Sequence, residues 1–127
     1  MAITTIHTDA APAAIGPYSQ AVRAGQTIYF SGQIPLVPGT AELISGDIHA
    51  QARQAFDNLK AVAEAAGGSL QHIVRLGLYL TDLNNFAAVN TIMQRYFTAP
   101  FPARSTIQVA GLPKGAAFEV DAVMVLD

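Results

Sequence analysis

The segment Phe101-Pro102-Ala103-Arg104-Ser105-Thr106 fixes a guanidinium just after a proline-stiffened approach to a β-like stretch, Arg104 to Ala110. A rigidly held fork of N–H donors suits two-point recognition of a carboxylate. The competing reading of Arg104 is an ordinary strand-end arginine paired with a surface acid. Glu119, flanked by Phe118 and Val120 in an otherwise apolar stretch, is the second candidate. A carboxylate partly withdrawn from water at the edge of a cleft takes a proton from water and returns one to nitrogen. Its competing reading is a structural partner for an arginine across a subunit interface. Asp121, on the same strand face, rivals it for either role.

Near the start, Gly16-Pro17-Tyr18-Ser19-Gln20 sets a phenol beside two residues with special backbone preferences, either to wall a small-molecule pocket or to pack at an interface. Ser31-Gly32-Gln33 ends a strand with a glycine that lets a ligand approach backbone N–H groups. Asn90 reads as a solvated or interface amide on the polar side of a helix. His7, His49 and His72 lie far apart and at no usual ligand spacing, so no metal site is expected. No GxxxxGK[ST], GxGxxG or GxSxG pattern occurs, so neither a nucleotide cofactor nor a hydrolase elbow is expected.

The elements that must position these residues follow from periodicity. Ala21–Ala24 and Thr27–Ser31 flank Gly25-Gln26 as a hairpin, and residues 33–46, with Pro35, Pro38, Gly39 and Gly46, read as an ordered loop. From Asp47 to Ala66, apolar residues recur every three or four positions, which predicts a helix that Gly67 ends. Val74, Leu76, Leu78 and Leu80 alternate as a strand. A second helix, capped by Asp82 or Asn84, then carries Phe86, Val89, Met93 and Phe97 on one face and stops before Pro100. After the Gly111–Gly115 turn, residues 117–126 form a last strand with Phe118, Val120, Ala122, Met124 and Leu126 on one face. These elements predict a two-layer α+β domain with both helices on one side of a mixed sheet.

With 127 residues, the chain is expected to form a single domain, 1–127. Its residues are 51% hydrophobic and only 13% charged, where about 25% charged is typical. The bare sheet face and this composition both predict self-association. Net charge is −2 and the basic residues are scattered, which argues against a nucleic-acid surface. Cysteine is absent, so disulfides and thiolate chemistry are excluded. No apolar run approaches a membrane span and the first fifteen residues lack the features of a secretory signal, so a cytoplasmic protein is expected.

Four motifs stand in order along the chain: GPYSQAV at 16–22, SGQIP at 31–35, then QARQAFDNLKAV, and FPARSTIQVAGLP at 101–113. Together they make the chain resemble the RidA/YjgF family of reactive intermediate imine deaminases, almost end to end. The resemblance implies a chorismate-mutase-like α+β fold assembled as a homotrimer with clefts between subunits, and no cofactor. It implies that Arg104 binds a substrate carboxylate and that Glu119 positions water or transfers protons. Tyr18, Ser31, Gly32 and Asn90 fall on the family's substrate-binding positions. Thr106 stands where deaminases of the family often have cysteine, so it would serve as a polar wall or through its carbonyl. The implied reaction converts 2-iminobutanoate, 2-iminopropanoate or similar enamine-derived imines to 2-keto acids and ammonia. A 2-aminomuconate deaminase-like activity and a non-catalytic carboxylate-binding trimer are the alternatives. An RNA-directed role, proposed for some relatives, fits poorly with the charge.

Overall fold

Asp47 starts the longer helix as its position before the apolar stripe predicts. In the computed structural model, which describes residues 2–127, its carboxylate accepts the Ala50 backbone N–H at 3.1 Å, and α1 spans Ile48–Ala65. Gly67 adopts φ +90°, and the N–H groups of Gly67 and Gly68 return to the carbonyls of Glu64 and Ala63. This closes the helix by pairing carbonyls that would otherwise lack donors. The stripe Ala52, Ala55, Phe56, Leu59, Val62 and Ala63 is fully buried.

Six strands form the main sheet in the order β1-β2-β3-β8-β6-β7. They are β1 (Ile3–Ile6), β2 (Ala21–Ala24), β3 (Thr27–Gln33), β6 (Ile73–Leu80), β7 (Ala103–Gln108) and β8 (Phe118–Val125). Only β6 and β7 run parallel, joined by a crossover through α2 (Phe86–Met93). That single parallel pair makes the sheet mixed. Phe118, Val120, Ala122 and Met124 of β8 alternate into the core. Phe56 stacks with Tyr96 at 5.3 Å between ring centroids and meets Phe118 at 5.5 Å, tying both helical segments to the sheet. The opposite sheet face is bare: Tyr29 is 52% exposed, Ile107 48% and Val125 41%.

Several expectations are corrected in detail. Val74 is exposed, because the pairing with β8 slips between Ile73 and Arg75 and leaves it as a bulge residue outside the alternation. Asp82 caps a short 3₁₀ turn, Leu83–Asn85, before the α-helix begins. Phe86, the first residue of that helix, stays partly exposed while Val89, Ile92 and Met93 face the core. β1 was not foreseen, and residues 33–46 contain a small ribbon, β4 (Leu36–Val37) with β5 (Glu42–Leu43). Buried Asn58 on α1 holds this segment by donating to the carbonyls of Leu36 at 2.9 Å and Ile34 at 3.3 Å.

The N-terminal segment is pinned by buried Gln20. Its amide nitrogen donates to the carbonyls of Pro12 at 2.8 Å and Thr8 at 3.0 Å, and its oxygen accepts the Thr8 N–H at 2.7 Å. Replacing Gln20 by alanine strands these groups in the interior. The expected loss is about 2 kcal/mol or more, roughly 8 °C in Tm, which thermal denaturation would measure.

Candidate functional site

Glu119 projects from β8 onto the bare face, because its neighbours Phe118 and Val120 take the core side. It lies in a cleft of about 610 Å³ whose walls include Pro12, Ile15, Tyr18, Ser31, Gly32 and Lys114. Gly16, at φ +123°, turns the chain so that the Tyr18 hydroxyl accepts the Ile15 N–H at 3.3 Å, which fixes the ring. The Ser31 hydroxyl donates to the Ser19 carbonyl at 2.5 Å, joining β3 to the Tyr18 loop. Ser31 and Gly32 sit where the pairing of β3 with β8 slips between Phe30 and Gln33. A Cβ on residue 32 would collide with the Glu119 carboxylate. Glycine is therefore required there for close approach. Burial, and secondarily the charge of Asp121, pushes the Glu119 carboxyl above its usual range.

Arg104 lies on the edge strand β7 and forms a second cleft, of about 380 Å³, with Asn90, Met93, Gln94, Phe101 and Pro102. Its Nη1 donates to Asn90 Oδ1 at 2.6 Å and touches Met93 Sδ at 3.4 Å, and the guanidinium lies over the Phe86 ring at 5.3 Å. Among the described residues no carboxylate forms an ion pair with it. The guanidinium is oriented by an amide, a sulfur and a ring, none of which neutralises it, and it keeps donors for an incoming anion. Asn90 is the residue that aims it, where the sequence read a solvated or interface amide. Thr106 lies two residues along the same strand face, with Oγ1 buried and lacking a hydrogen-bond partner.

The two clefts lie on opposite faces of one sheet. Arg104 pairs with Leu76 of β6, whose side chain is buried under the helices, while Glu119 pairs with Tyr79, which faces the bare side. Leu76 and Tyr79 are three residues apart, about 10 Å at the usual rise, and β7 and β8 flank β6, so they are about as far apart again. The structure thus brings Arg104, Asn90 and Thr106 together, and separately Tyr18, Ser31, Gly32 and Glu119. It does not unite the two groups within one chain. The sequence reading placed Phe86 on the packed face of a helix and gave neither it nor Gln20 and Lys114 a role at the site. The only local signals were an aromatic in the first turn of a helix, an amide inside the GPYSQAV motif, and a lysine before Gly115 in a turn. Lys114 holds a left-handed φ of +58°.

The histidines do not converge: His7 sits beside Asp9, His49 beside Asp47 and His72 beside Asp127. No described helix is long and apolar enough to cross a membrane.

The fold and its two clefts define a class: a small α+β chain that carries an uncompensated cation on one sheet edge and a half-buried acid on the bare face. The family described as endoribonuclease L-PSP matches residues 8–126, and the chain belongs to this family, that of RidA and YjgF. It is 53% identical over 127 residues to protein DfrA of Myxococcus xanthus, covering 98% of this chain and 97% of that protein. It is 50% identical over 124 residues to the 2-iminobutanoate/2-iminopropanoate deaminase of Escherichia coli K12, covering 95% and 96%. The crystal structure of E. coli TdcF with bound serine superposes with a TM-score of 0.93 at 42% identity, covering 98% and 99%.

Proposed function

We propose that this chain hydrolyses reactive 2-imino acids, such as 2-iminobutanoate and 2-iminopropanoate, to 2-keto acids and ammonia, in clefts shared between subunits of a homotrimer. The observation that carries this reading is the unneutralised Arg104 guanidinium, held by Asn90 on the sheet edge with donors free for a carboxylate. The deaminase activity named for the E. coli relative and the serine bound to TdcF both support a small amino-acid-like carboxylate as the ligand. Because the half-clefts face opposite sides of the sheet, one subunit supplies Arg104, Asn90 and Thr106. Its neighbour supplies Glu119, Tyr18, Ser31 and Gly32. The bare face then gives the assembly an apolar surface to bury.

In this site Arg104 orients the carboxylate so that the protonated C=N carbon faces Glu119. Glu119 takes a proton from water as the water oxygen bonds to that carbon, forming a neutral-oxygen carbinolamine. It returns the proton to nitrogen. The C–N bond breaks, ammonia leaves, and the regenerated Glu119 carboxylate takes the hydroxyl proton as the C=O bond forms, passing it on to solvent. A carboxylate of raised proton affinity is the stronger base for the first transfer. The imine carbon is already electrophilic, so one acid and one guanidinium suffice. Thr106 is a polar wall beside Arg104, and its substitution for the frequent cysteine leaves room for a diverged substrate such as an aminomuconate.

The test is a coupled assay in which an amino-acid oxidase releases 2-imino acids into semicarbazide and imine loss is followed with and without the protein. Faster loss is expected. No acceleration with any imine would remove the deaminase reading in favour of a carboxylate-binding trimer. In the same assay Gly32→Ala, whose methyl displaces the Glu119 carboxylate, is expected to lower kcat about 10- to 100-fold with little change in Tm.

A further inference from the structure

Glu119 is not the only acid on the bare face of β8. Asp121 lies two residues on, with its side chain on the same face, about 7 Å away along the backbone. Its carboxylate is held in one place. The Tyr79 hydroxyl donates to Asp121 Oδ2 at 3.0 Å, although Tyr79 is the direct cross-strand neighbour of Glu119. The direct neighbour of Asp121 is Gly77, where a Cβ would collide with Asp121 Oδ1 and come within 2.8 Å of the Tyr79 hydroxyl. The missing side chain at 77 is what admits this hydrogen bond. Burial, then Asp121, pushes the Tyr79 phenol up, so it stays a donor through the neutral range.

The charge on Asp121 is not cancelled. Among the described residues neither Asp121 nor Glu119 has an ion-pair partner. Arg75, the nearest cation on β6, spends its guanidinium on the Leu76 carbonyl at 3.2 Å and the Ser105 hydroxyl at 3.4 Å. From the other elements, Lys114 and Tyr18 line the cleft around Glu119, and Tyr29 of β3 stands opposite Val123, further along the sheet.

We propose that Asp121, fixed by Tyr79 in the space left by Gly77, is a positioning residue that holds a second negative charge beside Glu119 and thereby tunes the pH range of turnover. This rests on the deaminase reading for its catalytic consequence, but the coupling itself is a property of the two carboxylates. A negative charge two residues away on the same strand face opposes ionisation of Glu119, in addition to the effect of burial.

The experiment compares the full-length wild type with Asp121→Asn, Asp121→Ser and Asp121→Glu. Two readouts are taken: the pH dependence of kcat/KM for imine hydrolysis, and a carbon-13 NMR titration of the Glu119 carboxyl, assigned by its loss in Glu119→Gln. Either neutral variant is expected to move the acidic limb of the profile and the Glu119 titration to lower pH, with Asp121→Glu restoring the wild-type position. A Glu119 titration that stays put in a folded neutral variant overturns the proposal and leaves Asp121 a structural partner of Tyr79. Serine is small enough to keep the Gly77 contact if asparagine disturbs folding. Should no imine be hydrolysed by the wild type, the deaminase reading falls while the titration still decides the coupling.

Discussion

Arg104→Ala is expected to lower kcat/KM for 2-imino acids about 1,000-fold and to leave Tm and the assembly unchanged. The side chain is exposed, and its protein contacts are one hydrogen bond, one sulfur contact and one ring face. Removing it disturbs no core packing. In the enzyme–substrate complex, however, the substrate carboxylate loses a two-point charge-assisted contact, a loss of about 4 kcal/mol in transition-state stabilisation. Arg104→Lys keeps the charge but not the fork. It is expected to recover only part of the activity, mainly as a raised KM. Steady-state kinetics with the oxidase-coupled assay measure both. Turnover retained in Arg104→Ala would end the carboxylate-clamp reading.

Glu119→Gln is expected to reduce kcat about 100- to 10,000-fold with KM little changed, because the amide still fills the space against Gly32 but accepts no proton. The same substitution is expected to raise Tm at pH 7. Glu119 has a higher pKa folded than unfolded, so ionising it costs stability. That cost is full above the folded pKa and disappears as pH falls below the unfolded value of about 4.3. The stability gap between variant and wild type should therefore close as the pH is lowered, which thermal melts across the acid range would follow. An unchanged kcat would make Glu119 a structural acid.

The two inactive variants together probe the shared cleft. Arg104→Ala chains retain Glu119, and Glu119→Gln chains retain Arg104. When they are co-refolded in equal amounts, a cleft built from two chains receives both intact residues in about a quarter of cases, so about a quarter of wild-type activity should return. A site confined to one chain restores none. Sedimentation of the same samples checks the trimer.

Much of the local structure was legible. The 3.6-residue recurrence from Ile48 to Ala66 and the alternation of Phe118, Val120, Ala122 and Met124 are repeated burial decisions along one segment, and a periodic pattern reports them directly. Two special residues also spoke for themselves, an arginine behind prolines and a glutamate in an apolar strand, whereas Gly32 was read as giving a ligand access to the backbone and proves to make room for the Glu119 carboxylate. Where the periodicity was broken, the reading failed. The bulge at Val74 inserts a phase shift that strand pairing imposes from outside the segment, and a 3₁₀ turn delays the start of α2 to Phe86.

The sequence by itself therefore determined which groups could do chemistry and which segments carry them. The alternation of β8 already put Glu119 opposite the core face, and only the tertiary structure decided that Arg104 faces the other side and what each of the two meets there. That choice puts Arg104 under α2 beside Asn90 and Glu119 on the bare face beside Tyr79 and Gly32, and it depends on strand register. Register couples residues far apart in the chain, and a one-residue slip would turn every side chain of a strand over. The hydrogen bonds and packing that fix it belong to the whole sheet, so no single segment encodes it.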